Sequence, residues 1–174
     1  ESLFLEAGYS TCLYTSPHLM DITERLRFSG VPVDGGVLLR SLDRVESALG
    51  GRGDPGSRPT YFEVLTAAAF DAIADRSPDV AIIEAGMGGR LDATNMVKNV
   101  ALTVITAIGF DHSQYLGGTL EEIANEKFSV LRPGGRSVFS GMPQTLEELY
   151  LEHCKRIGNT GEILSRSVEI RGLK

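Results

Sequence analysis

Three residues whose side chains can hold a metal ion follow three predicted strands of this sequence. Ser16 lies in YTSPH, Glu84 closes the run DVAIIE, and His112 ends ITAIGFDH. Because ligands of an open parallel sheet bind beyond the carboxyl ends of its strands, we expect these side chains to share one site. Two oxygen donors suit Mg²⁺, whereas the imidazole by itself favours zinc or manganese. Each residue also has an ordinary alternative role, as a turn former, a helix cap or a hydrogen-bonded loop residue.

A glycine-rich segment and one lysine extend this candidate site. The segment EAGMGGRLDATN, residues 84–95, places three glycines directly after the glutamate. Glycines let the backbone approach a ligand closely, although the same pattern also occurs in ordinary tight turns. Lys127, in NEKFSV, is a further candidate because a lysine with a lowered pKa in a polar pocket is a nucleophile that can react with carbon dioxide. On a helix, however, a lysine ordinarily projects into solvent.

The elements that must position these residues alternate between strand and helix. Two apolar runs, DVAIIEAG and VALTVITAIG, are typical of strands covered on both faces of a parallel sheet. Segment 17–33 has mixed periodicity and is interpreted as a structured loop, and the glycine- and proline-rich segment 50–59 as a surface connection. The alternation predicts an α/β doubly wound domain with a mostly parallel sheet. The other predicted elements are a strand in STCLYTS, helices at 35–49, from Thr60 and from Thr119, a strand in RSVFSG, a helix at 145–157 and a final strand near 162–164.

Composition and charge exclude several classes of protein. The 174 residues fit one domain, and the net charge of −6 without a Lys/Arg cluster argues against nucleic-acid binding. No apolar run approaches the ~20 residues that a membrane helix needs, so we predict a cytoplasmic protein without membrane contact. Cys12 and Cys154 are predicted to be reduced thiols in the core.

Several motifs together resemble one known family. YTSPHL, TYFE, EAGMGGRLDATN, GFDH, the pair Glu126-Lys127 and RPGG occur in the order seen in the ATPase domain of folylpolyglutamate synthases and dihydrofolate synthases, members of the Mur ligase superfamily. The resemblance runs from about Gly8 to Gly135, and GGRLDATN is its most specific part. It implies a central domain with a P-loop NTPase-like fold and an ATP-dependent amide ligation. In that reaction a substrate carboxylate attacks the γ-phosphate of ATP, and the amine of L-glutamate displaces phosphate from the resulting acyl phosphate.

The resemblance also implies roles for individual residues. It makes Ser16, Glu84 and His112 the Mg²⁺ ligands. It also makes Lys127, carried as a carbamate, and His112 the catalytic residues. The implied partners are ATP, L-glutamate and either folate or dihydropteroate, and the family implies a monomer. The residues implied to contact the pterin substrate are Thr60, Tyr61, Phe62, Glu63, Leu91, Asp92 and Ala93, although Phe62 could equally be a core residue.

The sequence departs from the family pattern at several points. The resemblance places the phosphate-binding loop of the family just before Glu1 and the C-terminal ligase domain after the matched region, and both are absent from these 174 residues. ESLFLEAGY is interpreted as the second half of a helix. Phe128 and Ser129 follow Lys127 where the family commonly has Ala-Gly. We therefore expect these 174 residues to be a partial ATPase domain that binds ATP poorly and is inactive alone. The alternatives are a peptidoglycan-precursor ligase of the same superfamily, which GGRLDATN disfavours, and a non-catalytic binding module.

Overall fold

The computed structural model describes residues 1–50 and 58–164. They fall into two compact units, which divide between Gly86 and Met87. Each unit combines strands with helices, so the predicted α/β class is confirmed. The predicted connection at 50–59 lies largely outside the described residues. In the part of the chain that the structure describes, no helix is both long and apolar enough to cross a membrane.

The first unit is built on a four-stranded sheet of β1 (Thr11–Tyr14), β2 (Leu26–Phe28), β3 (Val31–Pro32) and β4 (Val80–Ile83), in the order β3-β2-β1-β4. Strand β1 lies in the middle, parallel to β4 and antiparallel to β2, and β2 pairs antiparallel with β3. The elements of this unit are α1 (Ser2–Glu6), β1 (Thr11–Tyr14), a 3₁₀ turn (Ile22–Arg25), β2 (Leu26–Phe28), β3 (Val31–Pro32), α2 (Gly35–Leu49), α3 (Tyr61–Arg76) and β4 (Val80–Ile83).

The interpretation of residues 17–33 as a loop was wrong, because β2 and β3 form a hairpin there. Phe28 pairs with Val31 across a two-residue turn in which Ser29 and Gly30 both have positive φ, 47° and 81°. Such turns match the twist of antiparallel strands. With three and two residues, the strands are too short to show an alternating pattern, and the Ser-Gly pair was the available signal.

Two helices cover the sheet of the first unit. Helix α2 begins at Asp34, whose side chain accepts the N–H of Gly36, and ends at Gly50 in the left-handed conformation. Arg44 of α2 forms ion pairs with Asp71 and Asp75 of α3. The core of the unit consists of Cys12, Tyr14, Leu26, Val33, Leu38, Leu65, Ala68, Ala69 and Ala72.

The second unit contains a parallel three-stranded sheet of β5 (Thr103–Ile105), β6 (Arg136–Phe139) and β7 (Thr160–Ile163), in that order. Helices α5 (Leu120–Phe128) and α6 (Gln144–Ile157) bring buried apolar side chains against this sheet, with Phe128, Phe139 and Tyr150 in mutual contact. The elements are a 3₁₀ turn (Ala93–Met96), β5 (Thr103–Ile105), α4 (Ser113–Leu116), α5 (Leu120–Phe128), β6 (Arg136–Phe139), α6 (Gln144–Ile157) and β7 (Thr160–Ile163).

The sequence predicted strands covered on both faces, and β5 differs from that prediction. In β5, Thr103 and Ile105 are buried, whereas Val104 between them is 60% exposed. Within this unit the described residues therefore cover one face of the strand only. The prediction for the two cysteines is confirmed, since Cys12 and Cys154 are both free and buried.

Candidate functional site

Ser16 and Glu84 meet at the carboxyl ends of two neighbouring parallel strands. Tyr14 pairs with Ile83 at the last position of the β1–β4 ladder. One step further, the N–H of Glu84 donates to the carbonyl of Tyr14 at 2.9 Å, which extends the ladder. The backbone N–H of Ser16 then donates to Oε2 of Glu84, also at 2.9 Å. Pairing of the strands therefore fixes the position of the carboxylate.

These two residues present oxygen donors suited to a hard divalent ion. Glu84 is exposed, and among the described residues neither its Oε1 nor the Ser16 hydroxyl has a hydrogen-bond partner. No group of three His, Cys, Asp or Glu side chains in the described ranges could hold a metal. Mg²⁺ keeps several waters and needs only one or two protein oxygens. The pair therefore fits Mg²⁺ or Mn²⁺ better than an ion that needs a full cage of protein ligands.

The four residues of TYFE form the beginning of α3, and two of them are engaged by the helix itself. The backbone N–H and the hydroxyl of Thr60 donate to Oε2 of Glu63 at 2.7 and 2.8 Å, and the N–H of Glu63 donates back to the hydroxyl. These hydrogen bonds hold the pKa of Glu63 below its ordinary range. The capping box thus gives Thr60 and Glu63 a structural role at this end of the helix.

The other two TYFE residues, Tyr61 and Phe62, differ in exposure. The ring of Phe62 stacks on that of Tyr14, with 6.4 Å between centroids, and packs against the first core cluster. Tyr61 is 62% exposed and therefore open to a ligand. Of the two aromatic residues in TYFE, Tyr61 therefore has the more accessible side chain.

Arg25 and His18 are polar neighbours of this region that the sequence did not single out. Nε of Arg25 donates to Nδ1 of His18 at 2.9 Å, and the guanidinium lies 5.9 Å from the centroid of the Tyr61 ring. Glu24 fixes this loop by accepting three backbone N–H groups, from Leu19 to Asp21. The sequence signal that could have indicated an ordered loop here was the pair Asp21 and Glu24, which caps the start of the 3₁₀ turn.

In the second unit, Asp92 organises the loop that the sequence predicted to contact substrate. Its Oδ2 accepts the N–H of Met87 at 2.8 Å, and its Oδ1 accepts the N–H and the hydroxyl of Thr94. Its carboxylate is therefore largely engaged by the loop itself. Leu91 is 81% exposed, so the loop presents an apolar side chain to solvent.

His112 and Lys127 also lie in the second unit. His112 has a φ of 48°, its side chain is 51% exposed, and its Nε2 lies 3.7 Å from Oδ1 of Asp111. Lys127 occupies the last turn of α5, half-buried, and its side chain has no hydrogen bond or ion pair with any described residue. A helix C-terminus favours a cation, so a carbamate on this lysine would need a cation close by.

The predicted site residues thus divide between the two units. Ser16 and Glu84 are brought together in the first unit, which also holds residues 60–63. His112, Lys127 and residues 91–93 belong to the second unit. The prediction that Ser16, Glu84 and His112 share one cation stays a prediction.

Comparison with known proteins shows similarity to folate-modifying ligases along most of the chain. The dihydrofolate synthase/folylpolyglutamate synthase of Bacillus subtilis is 38% identical over 135 residues, 76% of this chain and 31% of that protein. The solved structure of E. coli FolC in complex with DHPP and ADP has a TM-score of 0.82 at 34% identity, and the match covers 92% of this chain and 37% of that one. A bifunctional folylpolyglutamate synthase/dihydrofolate synthase with Mn, AMPPNP and L-glutamate bound gives a TM-score of 0.79 at 34% identity, with 91% and 37% covered. No family model matches the sequence. The chain therefore spans about a third of the length of these relatives.

Proposed function

We propose a function from the premise that this chain belongs to the folylpolyglutamate synthase and dihydrofolate synthase family. In this proposal, the protein is an ATP-dependent ligase that joins L-glutamate to a folate or to dihydropteroate. The carboxylate of the acceptor would attack the γ-phosphate of ATP to give an acyl phosphate and ADP. The amine of glutamate would then displace phosphate and form the amide. The names of the relatives support this choice over a peptidoglycan-precursor ligase.

The observation that carries the proposal is the pairing of Ser16 with Glu84. Two adjacent strand ends position these residues, and neither Oε1 of Glu84 nor the Ser16 hydroxyl has a hydrogen-bond partner among the described residues. A bound Mg²⁺ would supply charge neutralisation where phosphate oxygens and an incoming carboxylate meet. In this proposal Ser16 and Glu84 hold that ion, together with His112, and the Ser16 N–H orients the carboxylate.

Lys127 has a separate role in the proposal. Its neutral amine would attack carbon dioxide, forming an N–C bond and releasing one proton, so that the side chain becomes an anionic carbamate. The half-buried side chain has no hydrogen bond or ion pair with any described residue, which supports this assignment because Nζ is not engaged elsewhere. The substrate contacts proposed for the pterin are Tyr61 and Phe62 in the first unit and Leu91, Asp92 and Ala93 in the second, with Thr60 and Glu63 shaping the start of α3.

The test is glutamate ligation by the protein encoded by the complete reading frame. We expect ATP- and Mg²⁺-dependent incorporation of labelled glutamate into tetrahydrofolate or dihydropteroate. Glu84→Gln keeps the shape of the side chain but removes its charge, so kcat/KM should fall on the order of 100-fold or more. Glu46→Gln, at an exposed carboxylate on α2, is the matched control and should leave kcat/KM unchanged. Ligation without ATP, no ligation with either acceptor, or full activity of Glu84→Gln would contradict the proposal.

The cytoplasmic location belongs to the same proposal. Two free, buried cysteines support a reducing compartment, where thiols stay unpaired. Fractionation of cells that express the tagged full-length protein would test it, and recovery of the protein outside the cytoplasm would contradict it.

A further inference from the structure

The glycine-rich loop of the second unit packs directly onto the end of the helix that carries Lys127. A Cβ atom at Gly89 would overlap the carbonyl oxygen of Glu126 and would lie 2.9 Å from Cγ1 of Val130 and 3.3 Å from Cα of Lys127. Backbone atoms cannot move aside as a flexible side chain can. Position 89 therefore requires glycine because the loop touches α5 closely.

An ion pair next to this contact joins the same two segments. Nε of Arg90 donates to Oε1 of Glu126 at 2.9 Å, and the side chains are 59% and 25% exposed. Ion pairs with this much exposure contribute little to folding stability. Any large effect of removing the pair must therefore come from the orientation that it imposes.

The loop itself is held in one conformation on its other side. The side-chain amide of Asn95 donates to the carbonyl of Arg90 at 3.3 Å. Arg132, shortly after α5, donates through Nη2 to the carbonyls of Asn95 and Val97 at 2.9 and 2.7 Å. Residues 87–97 are thus attached both to the end of α5 and to the turn that follows it.

We propose that Gly89 and Arg90 are positioning residues for Lys127. They hold the last turn of α5 in a fixed register with residues 91–93, so that the lysine and the exposed substrate loop move as one body. This inference rests on the proposed ligase function and deepens it. Neither residue needs to touch substrate, because both act through Glu126 and the helix backbone.

The experiment compares four variants of the protein encoded by the complete reading frame. Arg90→Ala removes the ion pair, and Arg90→Glu combined with Glu126→Arg restores it with the charges exchanged. Lys127→Ala reports whether the lysine is needed at all. Arg44→Ala is the matched control, because it removes the ion pairs between α2 and α3 in the first unit. The readouts are kcat, KM for the folate, Tm, and the ¹³C NMR carbamate signal after incubation with ¹³C-bicarbonate.

We expect Arg90→Ala to lower kcat roughly 10- to 100-fold, the range found for groups that orient a functional side chain through another residue. KM should change less than about threefold, Tm should hardly change, and the carbamate signal should weaken. The exchanged pair should recover at least part of kcat and of the signal. Arg44→Ala removes ion pairs of similar exposure, so it should change Tm equally little and leave kcat as in the unaltered protein.

The outcomes separate this inference from the proposed function. If Lys127→Ala is inactive while Arg90→Ala keeps kcat within about twofold, the ligase proposal stands and the positioning role is overturned. If Lys127→Ala remains fully active, both the role of the lysine and its positioning are overturned. If the unaltered protein does not ligate glutamate, the proposed function fails. The carbamate signal then decides the positioning role alone: a weaker signal in Arg90→Ala supports it, and an unchanged signal overturns it. If Arg90→Ala does not fold, the exchanged pair decides: failure to recover kcat overturns the inference.

Discussion

Alanine at Gly86 should destabilise the first unit through a clash with one aromatic ring. The φ angle of Gly86 is not positive, so the backbone conformation itself tolerates alanine. The new Cβ would overlap Cζ of Phe62 and lie 2.7 Å from its Cε1. The ring cannot retreat freely, because it stacks on Tyr14, which is 1% exposed. Overpacking of this kind costs about 1–3 kcal/mol.

The clash predicts a specific non-additive effect. For a chain of this size, a loss of about 1–3 kcal/mol corresponds to a fall in Tm of roughly 2–12 °C. In a Phe62→Leu background the ring is gone, so Gly86→Ala should cost less than about 0.5 kcal/mol there, and the two substitutions should be strongly coupled. Urea denaturation, followed by circular dichroism, gives the free energy of unfolding of the unaltered chain, the two single variants and the double variant, and hence their coupling energy.

A matched glycine distinguishes the clash from a general effect of alanine. A Cβ at Gly35, at the start of α2, would meet nothing within 4 Å. Gly35→Ala should therefore be neutral or stabilise by up to about 1 kcal/mol. If Gly86→Ala were as stable as the unaltered chain, or cost as much in the Phe62→Leu background as beside the native ring, the steric explanation would be refuted.

Three further predictions concern the cores and one carboxylate. Gly161→Ala would place a Cβ 2.5 Å from Sγ of buried Cys154, so it should destabilise the second unit by about 1–3 kcal/mol in urea melts; an unchanged midpoint would contradict the packing. Asp79 accepts the hydroxyl and the N–H of Ser10, which lowers its pKa from the ordinary 3.8. The stabilisation that the Asp79 carboxylate contributes is therefore complete above pH 3.8 and is lost as the pH falls through the pKa of the folded state. In Asp79→Asn, the free energy of unfolding should fall less steeply between about pH 5 and pH 2 than in the unaltered chain. Burial raises the pKa of the Cys12 thiol to about 12, so at about pH 8 iodoacetamide should modify it far more slowly than free cysteine, and rapid labelling of the native chain would show otherwise.

Helices with a clear cap were predictable from the sequence. The predicted helix starts at Thr60 and Thr119 are both confirmed, and in the structure each threonine forms a capping box with the glutamate three positions later. These signals are local, since cap and helix lie within one turn. The hairpin at 26–32 was missed because its strands are too short for a period to appear.

The function of the glycines at 86–89 could not be predicted, because it depends on distant contacts. The sequence suggested close approach to a ligand. In the structure Gly86 makes room for the ring of Phe62, and Gly89 makes room for the backbone of α5. Both partners are far away along the chain, so only the folded structure could reveal them. The same holds for the Ser16 N–H, since a sequence pattern indicates side chains rather than backbone donors.

The hydrogen bond from the backbone N–H of Ser16 to Glu84 separates two roles of residue 16, which are to orient the carboxylate and to supply a side-chain ligand. The peptide N–H aims the carboxylate, and any amino acid other than proline supplies that group. The side chain at position 16 is therefore exchangeable without disturbing its neighbour. A cysteine there would offer a thiolate for softer metals such as zinc, whereas an alanine would leave the place to a water. In the proposed metal site, a change of the side chain at position 16 would therefore alter the ion preference, while the peptide N–H would keep the orientation of Glu84.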